Sequence, residues 1–155
     1  MSEVSTSIAS MIKTDAGYLD VTECSASLVH DEFYIEGAIL CTIDGIQLLG
    51  YEHADLIDQL WAYIVEGLGQ LIEHDGFAFH FPDQPLLLDV RRVSGGDVVV
   101  AIGNQSCSVQ ETSLVTGLAD GAVLFFQEMV KLVPNAASTW HRYREDALAI
   151  RARFS

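Results

Sequence analysis

Five histidines, three cysteines and 22 acidic residues are the groups in this 155-residue chain that could ligate a metal, attack a carbonyl or move a proton. A helical zinc site needs two imidazoles one turn apart, and no pair among His30, His53, His74, His80 and His141 has HxxxH spacing. Glu73-His74-Asp75 with His80 is the one local donor cluster. It falls where a helix gives way to a strand, so a histidine facing the helix dipole is the expected role. The carboxylates follow no EF-hand pattern. Ser106 and Cys107 follow Gly103-Asn104-Gln105 without a GxSxG elbow, which reads as a turn between strands. Gly95-Gly96 lacks the lysine and the strand-to-helix context of a phosphate loop. Glu36 interrupts an apolar strand near Tyr34 and is the best candidate for a raised carboxyl pKa, but strand alternation points it outward. No catalytic residue, metal or cofactor is expected.

The elements that would carry these groups are legible from periodicity. Residues 1–16 are rich in Ser and Thr and read as a loose lead-in to one domain spanning 1–155. Tyr18–Thr22 and Ala26–Val29 read as one strand or two short ones. Phe33–Ile43, Asp44-Gly45 and Ile46–Leu49 form a hairpin whose turn takes the type I′ conformation. Glu36-Gly37 is a candidate bulge. Leu56, Ile57, Leu60, Trp61, Ile64, Leu68, Leu71 and Ile72 predict an amphipathic helix over about 53–74, with Asp55 in its first turn. Gly67 and Gly69 weaken that helix unless they admit a close neighbour. Phe77–Phe81 alternates as a strand, Pro82-Asp83-Gln84-Pro85 breaks it, and 86–93, 98–102 and 107–109 form a meander. Leu114 to Met129 marks a second helix ended by Pro134. Asn135 is the expected cap of a third, with Trp140, Tyr143, Ala147, Ile150 and Phe154 on one face. The expected fold is α+β: an antiparallel sheet, built from an N-terminal hairpin and a C-terminal meander, packed by three helices on one face.

Charge is the strongest compositional signal. The formal net charge is -14, yet half the chain is hydrophobic, which excludes a disordered polyanion. Residues 1–83 hold 15 acids and one base, Lys13, whereas 84–155 hold 7 of each, including Arg142, Arg144, Arg151 and Arg153. Attraction between the acidic half and the C-terminal arginines is one account, selection for solubility is another, and an acidic face aimed at a basic partner is a third. Such a surface repels nucleic acid and anionic membrane. The odd cysteine count (Cys24, Cys41, Cys107), the lack of a basic-then-apolar leader and the lack of a long apolar run predict a cytoplasmic protein with free thiols.

Phe33-Tyr34-Ile35-Glu36-Gly37-Ala38-Ile39 through Ile43-Asp44-Gly45, then Leu56–Tyr63, then Phe81-Pro82-Asp83-Gln84-Pro85, resembles small acidic bacterial immunity proteins of polymorphic toxin systems. The resemblance covers about residues 33–93 and implies a non-enzymatic inhibitor that binds one cognate toxin. Asp31, Glu32, Asp55, Asp58, Gln59, Glu66, Glu73 and Asp83 are the expected partner-binding residues, steering and hydrogen-bonding a basic toxin surface. A different expectation is a small-ligand-binding or enzymatic domain, with a pocket between helices and sheet near Glu36, Trp61, His80 and Trp140. A subunit that dimerises through exposed apolar surface is a third.

Overall fold

Ser10 and Ile12 are buried while Met11 between them is partly exposed, and this stretch is a strand inside the first sheet rather than a loose lead-in. The computed structural model describes residues 6–154, so the first five residues of that expected lead-in lie outside the described residues. Strands β1 (Ser7–Thr14), β2 (Gly17–Asp20), β3 (Glu36–Ile43) and β4 (Ile46–Leu49) form an antiparallel sheet in the order β2-β1-β3-β4. A two-residue strand, β5 (Asp55–Leu56), adds to the start of β3. The chain from Ala26 to Leu28 is a 3-10 turn and not a strand. Strand β3 starts three residues later than its aromatic content suggests, which leaves Phe33 and Tyr34 in a loop.

At the tip of the β3–β4 hairpin, Asp44 (φ 51°) and Gly45 (φ 82°) both occupy the left-handed region, as a type I′ turn requires. The register irregularity lies at Cys41–Thr42 and not at Glu36-Gly37. Gly37 keeps regular pairing with Ile12 and Asp55. A Cβ there would run into the Met11 carbonyl and Ile57, so its glycine serves close packing.

Helix α1 spans Ile57–Glu73, shorter at its start than predicted because Asp55 and Leu56 pair with β3 instead. Strands β6 (Gly76–His80), β7 (Leu87–Arg92), β8 (Asp97–Ile102) and β9 (Gln105–Gln110) make a second antiparallel sheet in sequential order. The expected single sheet is thus two, and the predicted three-stranded meander has a fourth strand in β6. Ser106 and Cys107 lie within β9 rather than in a turn. Helices α2 (Glu111–Leu132) and α3 (Ala137–Ala152) complete an α+β fold.

One hydrophobic core joins the two sheets. Cys41 and Leu48 of the first sheet, Leu88 and Val100 of the second, Ile64 of α1 and Leu118 of α2 line a void of only about 20 Å³. Inside the core, the Trp61 indole donates to the Ser10 hydroxyl at 2.9 Å, linking α1 to β1. Gly117 and Gly121, one turn apart on α2, face Ile43, Ile8 and Trp61, and a Cβ on Gly121 would lie 2.8 Å from Ile8. Phe126 stacks on Trp140 and Tyr143 to seat α3, and the Trp140 indole donates to the Val133 carbonyl at 2.9 Å. Asn135 does not cap α3: Ala136 holds that position, and the Asn135 amide reaches Glu32 at 3.4 Å.

The two glycines of α1 differ. The Phe77 ring occupies the space a Cβ on Gly67 would need, whereas nothing lies within 4 Å of one on Gly69. Gly69→Ala should therefore stabilise the protein by about 1 kcal/mol, and Gly67→Ala should destabilise it by about 1 to 3 kcal/mol through overpacking. Urea unfolding of the two variants measures both signs.

Candidate protein-binding face

The short loop before β3 is built by Asp31. Its carboxylate accepts the Phe33 amide at 2.9 Å and its carbonyl accepts the Tyr34 amide at 3.1 Å. This turn leaves Phe33 84% and Tyr34 48% exposed. The Tyr34 hydroxyl donates to the Asp83 carboxylate at 3.2 Å, which fixes the ring against the loop after β6. That hydrogen bond and the Asp83 charge, with a further contribution from Glu36, hold the Tyr34 pKa above the ordinary phenol value. Glu36 is exposed, as strand alternation predicts.

Strand β6 runs back along α1 after a short turn, so the loop that follows it returns to the start of that helix. There Gln84 donates to the Ala54 carbonyl at 3.0 Å and to the Asp55 carboxylate at 2.9 Å. Tyr34 is thus held at both ends, its amide by the Asp31 carbonyl and its hydroxyl by the Asp83 carboxylate. Asp55 is withdrawn from the surface: it is 8% exposed, sits in β5, and its carboxylate is engaged by Gln84 and the Leu56 amide. Asp58, in the true first turn of α1, is half-buried, and burial raises its pKa above the ordinary aspartate value. Asp55 is corrected as a partner-facing acid, because β5 and Gln84 take it into the fold and the helix begins later than its periodicity implies. Glu66 and Glu73 are exposed, and Gln59 is partly so, on one stripe at seven-residue spacing. Glu32 is half-buried beside Asn135.

Sequence patterning hides Phe33 and Tyr34 as surface groups, because their β-propensity suggests strand interior. The signal that could reveal them is the adjacent Asp31-Glu32 pair, which breaks alternation just before them. Arg92 is hidden too. Its guanidinium makes two hydrogen bonds to Glu111, at 2.9 and 2.8 Å, and donates to the Leu71 and His74 carbonyls at 2.8 and 2.9 Å. It thus caps the end of α1 and pins the start of α2, with Asp75 3.6 Å away. This is a link between the acidic and neutral halves. Among the C-terminal arginines, Arg144 pairs with Glu145, Arg151 pairs with Asp120, and Arg142 lies over the Tyr143 ring.

The side chains expected around an internal pocket do not share one. Trp61 and Trp140 are core residues, 0% and 6% exposed, while Glu36 and His80 line separate surface grooves. No group of three or more His, Cys, Asp or Glu is placed to hold a metal ion among the described residues. Burial pushes the Cys107 thiol up and the Cys41 thiol up to about 12, the opposite of what an activated thiolate needs. Helix α2 is long and apolar enough to cross a membrane by length and composition. Its apolar side is packed against β1, β3 and α3. No protein-family model, curated protein or solved structure matches this chain.

Two carboxylates should give opposite pH signatures. The raised pKa of Asp58 means that ionisation weakens the fold, so its contribution is favourable when protonated and is lost as pH rises through the folded value. Glu111 is held below the ordinary glutamate value by Arg92, so its contribution is present at neutral pH and is lost as pH falls through the folded value. Asp58→Asn should raise the urea midpoint at neutral pH, with the gain vanishing below about pH 4. Arg92→Met should cost about 2 kcal/mol at neutral pH, and less once Glu111 is protonated.

Proposed function

We propose that this chain is an immunity protein, a cytoplasmic inhibitor that binds one cognate bacterial toxin through a basic surface of that toxin and catalyses nothing. The observation that carries this reading is the combination of exposed aromatics and one-signed charge in the first 83 residues, which hold 15 acids and a single lysine. Phe33 is 84% exposed, and an aromatic ring left in water costs solubility unless a partner covers it. Interfaces draw most of their binding energy from a few such aromatic anchors, while surrounding charge sets encounter rate and partner choice. The exposed carboxylates Asp31, Asp83, Glu66 and Glu73 would supply that charge. Nucleic-acid-degrading toxins have basic clefts, which an acidic face matches in sign.

Two features suit an inhibitor. The exposed stripe on α1 lies on a helix whose other sides are packed, so the backbone that carries its carboxylates is fixed before binding. The Tyr34 ring is likewise fixed before contact by Asp83. A preorganised acidic face fits fast association followed by slow release.

The immobilised chain should capture one stoichiometric basic protein from its native cells, identified by mass spectrometry. With that partner in hand, Glu66→Lys/Glu73→Lys should slow association about tenfold or more at low salt and flatten its salt dependence. Unchanged kinetics would count against the α1 stripe. Capture of nothing, together with a melting-temperature rise on adding a small metabolite, would support the ligand-binding alternative instead.

A further inference from the structure

Beside Tyr34, the turn between β1 and β2, the 28–31 segment and the start of β3 enclose a surface cavity of about 210 Å³. Its floor is aliphatic: Ile12 and Ile35 are 2% and 4% exposed, and Leu28 and Val29 line it with them. Its rim is mostly anionic. Asp15, Asp31 and Glu36 line the cavity, against Lys13 and His30.

We propose that this cavity receives an arginine side chain of the partner, with the aliphatic stem on the floor and the guanidinium among Asp15, Asp31 and Glu36. The inference rests on the inhibitor reading above and names the group the acidic face recognises. Size decides against a drug-sized ligand, since those occupy about 300 Å³ or more. Charge decides against an anion. A wholly apolar ligand would strip water from the rim carboxylates without replacing it. An arginine meets both surfaces: its methylenes are apolar, and its planar fork matches carboxylates. Arginine is favoured over lysine because its planar fork engages two rim carboxylates at once, and because Tyr34 lines the cavity as an aromatic neighbour.

A contact across the rim, between His30 and Asp15, is weakly held. His30 Nε2 is 3.2 Å from the Asp15 carboxylate, and the two side chains are 63% and 90% exposed. An incoming guanidinium can take over Asp15 at little cost. Phe33, projecting next to Tyr34, would then lie on the partner's surface around the inserted arginine.

The test uses the full-length ¹⁵N-labelled chain and the peptide acetyl-Gly-Arg-Gly-amide, with the neutral isostere in which citrulline replaces arginine. The arginine peptide should shift the amides of residues 12–15, 28–31 and 34–36 saturably. The citrulline peptide should bind about tenfold more weakly or worse, a difference of about 1.4 kcal/mol. Asp31→Asn/Glu36→Gln should abolish the response while melting at the parent temperature, because an asparagine side-chain carbonyl still accepts the Phe33 amide. Equal responses to both peptides, shifts centred on the α1 stripe, or an unchanged response in the double variant would overturn the proposal. Capture of a basic toxin alongside any of these results would leave the inhibitor reading standing and remove only the arginine site. Arginine binding without any captured toxin would do the reverse.

Discussion

Helix α1 is buried on most of its circumference, and that constraint organises the rest of the molecule. Ile57, Leu60, Trp61, Ile64, Leu68 and Leu71 all lie in the core, between strands of both sheets and beside the other two helices. The Trp61 indole cannot be buried without a partner, and Ser10 of β1 supplies it. That bond ties α1 to a strand that β2 and β3 hold by antiparallel ladders on both sides. With so little of α1 left outside, its polar residues have one narrow stripe to occupy, and Gln59, Glu66 and Glu73 fall on it. Acids near the helix start are drawn inward instead: Asp55 is engaged by Gln84, and Asp58 has lost much of its water.

The same burial explains which features are legible in the sequence. Long-period signals survive: α1, α2, the type I′ hairpin and the 87–102 hairpin all lie where apolar spacing and Asp-Gly or Gly-Gly turns put them. Strand β1 escapes a sequence reading because its apolar residues are interleaved with serines, and Ser10 is there as a hydrogen-bond acceptor in the core. The sheet count escapes it because strand pairing is decided by partners distant in sequence. Phe33 and Tyr34 have the composition of strand interior, and only the Asp31 turn excludes them from it. Arg92 and Glu111 are unremarkable in sequence, since a staple between a helix end and a helix start depends on the tertiary arrangement. Of the acids expected at the interface, Asp31, Asp83 and those on the later turns of α1 are exposed. Asp55 is buried because β5 claims it, and Asp58 and Glu32 are half-buried.

Charge in this protein does two separable things. In the second half it is balanced locally, through Arg144 with Glu145, Arg151 with Asp120 and Lys131 with Glu128. Arg92 reaches back to close the end of α1. In the first half, 15 acids against one lysine leave a surplus that internal pairing cannot neutralise. Much of that surplus lies on exposed loops and on the α1 stripe. Such an asymmetry speeds encounter with surfaces of opposite sign, and the proposed inhibitor reading grows from it.

The most direct test of that reading is biological. The captured basic partner is expressed in a heterologous bacterium with and without this chain, and growth is followed. The account predicts that the partner alone arrests growth and that co-expression of this chain restores it, with Phe33→Ala/Tyr34→Ala weakening the rescue. A partner that is harmless by itself, or that remains toxic when this chain is present in excess, would contradict it.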